Sequence, residues 1–302
     1  MILPKHKEED FDEFRRKGLC GSDIAGICGV SKWVTALDVY KRIKEGTKFG
    51  PSDETSAYFG RQMEDVIVSC YCDKREVKVR QHAQIIHDKY PFIRGNTDGL
   101  LDAPFVLVEA KNIGPSAMRE WKLGDKWIVP AKYRFQCFHY SNILQPERID
   151  VAVLFCGNKL EIITLERNLK FEKAIENKCI DWWEKHIIKN CAPKPTRVSD
   201  IDRYVKIIPE STIEITDEIQ QKIERIKELN PCVKELKELK DDIKLFMGPH
   251  QHLMCKGKVV GTFKEFQVNR FNMQRLKQEN RHFFNQLQDD YYDETTSKRL
   301  RV

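Results

Sequence analysis

Residues Arg94 to Lys111 read R-G-N-T-D-G-L-L-D-A-P-F-V-L-V-E-A-K, and no other stretch constrains the fold as tightly. The apolar run Phe105-Val106-Leu107-Val108, rich in β-branched residues, predicts a buried strand. Asp102-Ala103-Pro104 before it predicts a hairpin turn, which sets Asp98 on one strand beside Glu109 on the next. Alternate side chains of a strand share a face, so Glu109 and Lys111 point the same way. Two carboxylates and an ammonium at the end of a buried strand are costly unless a cation and an anionic ligand use them. Taken alone, the pattern D-x(n)-E-x-K is also met by an ordinary hairpin with solvated polar ends, because a chain this charged produces it by chance.

The 302 residues suffice for a substantial core, as one large domain or one domain with an appendage. With 32% charged and 41% hydrophobic residues the composition is that of a soluble globular protein. No apolar run approaches the ~20 residues of a membrane span, and the N-terminus is not a signal peptide. The net charge of +6 permits a polyanionic partner without requiring one. Ten cysteines raise the question of disulfides or zinc, but Cys70 and Cys72 are only one residue apart and no C-x-x-C pair occurs. Cys28, Cys137, Cys156 and Cys179 lie among apolar residues as small hydrophobes, which points to a reducing, intracellular (cytoplasmic) compartment.

Along the chain, Phe11 and Phe14 mark a short helix ending at Arg15-Arg16 and Gly18. Ser22 is expected to cap a second helix carrying Ile24, Ile27 and Cys28, and Thr35 a third ending at Gly46. A helix start preceded by glycine and flanked by arginines can seat a phosphate; a plain capping serine is the simpler account of the local pattern. After a loop with Pro51, residues 55–75 predict a longer helix with Tyr58, Phe59, Met63, Val66, Ile67 and Cys70 as its buried stripe and Glu64 at the rim. Strands are expected over 76–80, 83–87, 92–100 and 105–111, then a short helix or loop over 116–122 and a loop over 124–130 containing Trp127. Residues 131–144 predict a helix with Gln136 and Tyr140 on one face, followed by strands 149–156 and 160–165 and a helix 170–188. The order of elements implies an α/β or α+β core, with a mixed sheet of about five strands. Cys191-Ala192-Pro193-Lys194-Pro195 marks a boundary between a first domain, 1–192, and an extension, 193–302. In the extension, apolar residues from Ile219 to Phe246 predict a long amphipathic, coiled-coil-like helical region that Asn230-Pro231 kinks or splits. A hairpin around Lys256-Gly257-Lys258, helices over 273–287 and a basic tail, Lys298 to Val302, complete it. Neither a P-loop nor a G-x-G-x-x-G fingerprint occurs.

Taken together, the motifs resemble a known family. They are Cys20-Gly21-Ser22-Asp23-Ile24-Ala25 with Gly29-Val30-Ser31 and Trp33, then Gly60, Arg61 and Glu64 as G-R-x-x-E, and G-N-x-D-G over Gly95 to Gly99. E-x-K at Glu109 to Lys111 and V-P-x-x-Y-x-x-Q-x-x-H-Y over Val129 to Tyr140 follow. The chain resembles the YqaJ-type viral recombinases, relatives of phage lambda exonuclease within the PD-(D/E)XK nuclease superfamily. In the C-terminal half the likeness continues through Gly257 to Val260, Lys264, and Arg270-Phe271 to Leu276-Lys277.

The resemblance implies a Mg2+-dependent exonuclease, with Mn2+ able to substitute, that loads on a double-stranded DNA end and degrades one strand from its 5′ end. The metal would be held by Asp98, Glu109 and the Ala110 carbonyl, oxygen ligands suited to a hard cation, with Glu64 taking a second metal or a coordinated water. Lys111 would position the attacking water, Gln136 would orient water or lysine, and Tyr140 would support the site. A 5′-phosphate seat would be formed by Ser22 with Arg15 or Arg16, by Asn96 in place of a phosphate-contacting serine, and by Arg119. The implied partners are a single-strand annealing protein and further copies of the chain in a ring-shaped trimer, with no membrane; a virus, phage or prophage would be the source. A restriction-type endonuclease and a non-catalytic DNA-binding scaffold on the same fold are the competing readings.

Overall fold

The computed structural model describes residues 1–3, 10–47, 54–268 and 272–291. The Pro51 loop, Arg270-Phe271 and the tail from Lys298 lie outside the described residues. The chain divides into two compact units, Met1–Val205 and Lys206–Val302.

The first unit opens with α1 (Phe11–Arg16), α2 (Gly21–Ile27), α3 (Ala36–Glu45) and the long α4 (Glu54–Arg75). Strands β1 (Arg80–Ile86), β2 (Arg94–Asp102) and β3 (Phe105–Ile113) follow, then a 3-10 turn (Met118–Trp121) and the two-residue strands β4 (Lys122–Leu123) and β5 (Lys126–Trp127). Helix α5 (Ala131–Leu144) crosses over to β6 (Arg148–Phe155) and β7 (Lys159–Glu166), and α6 (Leu169–Trp182) and α7 (Val198–Tyr204) complete the unit. The five main strands form one mixed sheet in the order β1-β2-β3-β6-β7, in which only β3 and β6 run parallel. A parallel pair needs a crossover, and α5 supplies it. This is the α/β core with a mixed five-stranded sheet expected above.

Alternation along β3 divides the core in two. Leu107 and Ile113 face the larger cluster, shared with Ile24, Cys137, Phe138 and Ile175 of α2, α5 and α6. Val106, Val108 and Ala110 face the smaller one, closed by Ile67, Val68 and Tyr71 of α4. Burying each of these large aliphatic side chains is worth about 1.5–3 kcal/mol.

Several local expectations change. Helix α2 starts earlier than predicted: Cys20 is its N-cap and Ser22 lies inside the first turn, because Asp23 reaches back to accept from the Cys20 backbone N–H at 2.8 Å. Residues 76–80 are not a strand, since Glu76 turns the chain with φ 55 and pairing begins only at Arg80. In α4 the expected stripe holds at Ile67 and half-buried Met63, but Tyr58, Phe59, Val66 and Cys70 are exposed. The predicted loop 124–130 contains the β4–β5 ladder. The predicted helix 170–188 is α-helical to Trp182 and π-helical over Trp183–Ile188. All ten cysteines are free, and Cys156, expected among apolar neighbours, is exposed in the β6–β7 turn.

In the second unit, α8 (Asp217–Met247) runs through Pro231 without splitting. Its Ile219, Ile226, Leu229, Val233, Leu236, Leu239 and Ile243 are exposed, and Met247 is its one buried residue. Strands β8 (His252–Cys255) and β9 (Lys258–Thr262) pair around Lys256 and Gly257, whose φ values of 48 and 76 suit a two-residue hairpin turn. Helices α9 (Met273–Glu279) and α10 (Arg281–Tyr291) follow. Among the described residues no helix is long and apolar enough to cross a membrane.

Candidate active site

The β2–β3 ladder runs from Asp102↔Phe105 to Gly99↔Val108 and ends there. Beyond it β2 pairs with β1, and β3 with β6, so the sheet opens where Asp98 and Glu109 begin the two diverging arms. Parting strands strand their backbone donors, and the Asp98 carboxylate accepts one of them, the Ala110 N–H, at 2.7 Å. Glu109 is fully buried. Its Oε1 accepts from Lys111 Nζ and from Gln136 Nε2, both at 2.5 Å, while its buried Oε2 has no hydrogen-bond partner. Lys111 also donates to the Ala110 carbonyl at 3.0 Å and stands over the Tyr133 ring. Tyr140, one turn after Gln136 on α5, packs flat against Gly21 and Gly95, where a β-carbon would overlap its ring.

A cavity of about 640 Å3 opens onto this cluster. Glu64, Asp98, Lys111, Gln136 and Tyr140 line it, together with Phe11, Arg15, Cys20, Ser22 and Asn96. Arg15 Nη2 donates to Ser22 Oγ at 3.1 Å and to Asp23 Oδ1 at 3.3 Å. Of the two arginines offered for this place, Arg15 reaches the cavity; Arg16 lines a separate shallow pocket with Ile43 and Gly46. Arg119 is exposed on the 3-10 turn and is not brought to the cavity.

Sequence reasoning missed four further polar wall residues, Asp65, His82, Gln84 and Thr97, and gave Arg61 no role. Arg61 stood in the G-R-x-x-E motif, one helical turn before Glu64, and that spacing was the available signal. His82 belongs to no motif; its φ of 53 is left-handed, and its Nε2 lies 2.5 Å from Asp65 Oδ1.

Negative charge dominates the cluster. Burial, reinforced by Asp98, pushes Glu64 up to about 7. Glu109 is pushed up to about 8, chiefly by burial and then by Asp98, against the opposing Lys111. Burial likewise raises Asp98, opposed by Lys111 and the Ala110 N–H. Burial disfavours the Lys111 charge, but Glu109 and Asp98 outweigh it and hold the ammonium protonated. One lysine thus faces three carboxylates crowded into a half-dry cleft, an arrangement that a further cation would relieve.

Among the described residues, no three or more His, Cys, Asp or Glu side chains form a group that could hold a metal ion. The donors at the strand opening are Asp98, Glu109 and the Ala110 carbonyl, with Glu64 in the cavity wall. They are all oxygen, and Glu109 Oε2 is an orphaned buried acceptor. That set fits a hard divalent cation such as Mg2+, which completes its shell with water.

Comparison with known proteins places the chain. The YqaJ-like viral recombinase domain profile matches residues 10–143, which include every carboxylate of the cluster together with Lys111, Gln136 and Tyr140. Over that stretch the chain is similar to the YqaJ-like viral recombinase family. The uncharacterized protein YqaJ of Bacillus subtilis (strain 168) is 29% identical over 299 residues, covering 91% of this chain and 90% of that protein. Among solved structures, the alkaline exonuclease LHK-Exo from Laribacter hongkongensis is similar at 14% identity and TM-score 0.48, over 59% of this chain and 93% of that one. A putative exonuclease from Eubacterium rectale is similar at 10% identity and TM-score 0.48, over 72% of this chain and 98% of that one.

Proposed function

We propose that this chain is a YqaJ-type, Mg2+-dependent DNA exonuclease that degrades one strand of a duplex from its end, 5′ to 3′, leaving single-stranded DNA for recombination by annealing. The observation that carries the reading is the convergence of Asp98, Glu109 and Lys111 where β2 and β3 part, beside a cavity with a guanidinium and a hydroxyl elsewhere in its wall.

Asp98, Glu109 and the Ala110 carbonyl would hold a divalent cation, which when bound would supply Lewis-acid activation of water and of the scissile phosphate. The protein's own groups do the rest. Gln136 fixes the Glu109 carboxylate from α5, so its free oxygen keeps one direction. Asp98 is fixed from β3 by the Ala110 N–H. Lys111, kept charged by its carboxylate neighbours, stands ready to offset negative charge developing on the phosphate. Glu64, raised to about 7, can take up or release a proton near neutral pH. Arg15 and Ser22 form the seat for a terminal 5′-phosphate, which would limit cleavage to strand ends.

Digestion of linear duplexes singly labelled at the 5′ or 3′ end, with and without Mg2+, tests the reading. Wild type should release 5′ label first, only with the metal, and spare covalently closed circles. Asp98→Asn and Lys111→Ala should each lower cleavage at least 100-fold while still binding DNA. Persisting Mg2+-dependent cleavage in both variants, or cutting of the circle, would reject this assignment.

A further inference from the structure

The buried charges behind the cavity carry one inference more. Asp23 is fully buried at the third position of α2, and its two oxygens are shared among three donors. Oδ2 accepts from the Cys20 N–H at 2.8 Å and from Arg42 Nη2 at 2.7 Å; Oδ1 accepts from Arg15 Nη2 at 3.3 Å. Arg42 reaches in from α3, where it is 8% exposed, and also donates to the backbone carbonyls of Arg15 and Gly18. It does not line the cavity.

Two guanidiniums therefore share one carboxylate. Arg42 makes the shorter bond, is the more deeply buried, and is held by two carbonyls besides, so Asp23 chiefly offsets its charge. The remaining positive charge sits on Arg15, the member that faces the cavity. Arg15 is held from three sides, by Asp23, by Ser22 and by the Phe11 ring beneath it, and its buried Nε donates to nothing among the described residues. A guanidinium whose Nη2 is fixed by two protein acceptors holds its remaining donors in one orientation, as a charge-assisted contact to an anion requires.

We propose that Asp23, clamped by Arg42, is a positioning residue that aims Arg15 at the terminal phosphate monoester of a nucleic-acid strand. The inference rests on the reading of Arg15 and Ser22 as the seat for that phosphate. Selectivity for the phosphorylated end then depends on α3, an element whose arginine never touches the ligand.

The test is the affinity for a blunt duplex carrying a 5′-phosphate against the same duplex with a 5′-hydroxyl. It is read by fluorescence anisotropy in the Asp98→Asn background, so that no cleavage intervenes. The parent should favour the phosphorylated duplex. Asp23→Asn with Arg42→Gln, which removes both buried charges together, should reduce that preference roughly tenfold, as Arg15→Ala does. In an Arg15→Ala background, Asp23→Asn should change the preference no further, because a residue acting through Arg15 has nothing left to act through. An undiminished preference in a double variant that melts as the parent does would overturn the proposal alone. So would an equal loss from Asp23→Asn with and without Arg15. A parent blind to the 5′-phosphate would instead reject the seat, and the proposal with it. If the double variant does not fold, Arg42→Lys, which keeps the charge but loses the fork, is judged by the same criteria.

Discussion

His139 shows how a single buried group links this site to pH. It is fully buried on α5 between Phe138 and Tyr140, and its Nε2 lies 3.0 Å from the Arg94 carbonyl while Nδ1 has no partner. Burial pushes its pKa down from 6.5 to about 4. Below 6.5 the unfolded chain binds a proton that the folded chain refuses, so this residue's contribution is full above that pH and is lost as pH falls toward about 4. The loss amounts to on the order of 3 kcal/mol at most. The raised carboxylates Glu64 and Glu109 titrate in the opposite sense, so the readout is a difference: between pH 4.5 and 7.5 the wild-type urea midpoint should rise with pH relative to that of His139→Gln, which keeps a donor without a titrating ring. An unchanged slope would assign the dependence to other groups. At this scale the sequence was legible where spacing alone sets direction. Glu109 and Lys111 share a strand face by alternation, and Asp98 lies across a short turn. Asp23 and His82 were not legible, since the partner of Asp23 is an arginine on another helix and the His82 backbone is left-handed against the alternation of its strand.

Helix α4 carries Glu64, and its hold on the sheet depends on its C-terminal half. Ile67, Val68 and Tyr71 are its buried residues, whereas its N-terminal half lies beside two openings. Arg61, Glu64 and Asp65 line the cavity at the strand opening, and Thr55 and Phe59 a groove past the end of β3. Apolar residues there have no second layer to pack on, which is why the expected stripe of Tyr58, Phe59 and Val66 is exposed. Helix α5, which buries Cys137 to Ser141 among α2, α6 and the sheet, could be read from Ala131 to Leu144 directly. The anchor of α4 is Tyr71, whose hydroxyl donates to Asp150 at 2.8 Å; Asp150, fully buried in β6, also accepts from Thr164 and Arg148. Tyr71→Phe keeps the ring and removes one bond to a buried charge, which should cost about 1.5–3 kcal/mol. Chemical denaturation measures this, with Thr164→Val as a comparison on the same carboxylate. A loss below about 0.5 kcal/mol would mean that α4 is held by its apolar face alone.

At the scale of the molecule, the issue is where the first unit ends. Prolines 193 and 195 follow α6 and its π-helical end, and composition alone sets a boundary there. Residues beyond them return to the first helices. Asp200, fully buried, accepts from Thr35 Oγ1 at 2.9 Å and from the Thr196 N–H at 2.9 Å. Asp38, also fully buried, accepts from Tyr204 Oη at 2.6 Å and pairs with Arg203 at 3.0 Å. Arg197 donates to the carbonyls of Ser31 and Lys32. Such pairings join positions about 165 residues apart, and nothing in local periodicity announces them. We expect a fragment ending at Val205 to melt close to the full chain. A fragment ending at Ala192 leaves Asp38 buried without Arg203 and Tyr204, at a cost on the order of 3 kcal/mol, or roughly 5–10 °C in a unit of this size. Because α3 also carries Arg42, the shorter fragment should lose preference for the phosphorylated end along with stability, whereas the longer one keeps both. Calorimetry and the duplex-end affinities of the two fragments decide the matter: equal melting with equal selectivity would show that α7 is an ornament on the unit, and equal melting with unequal selectivity would place its effect on Arg42 rather than on the fold.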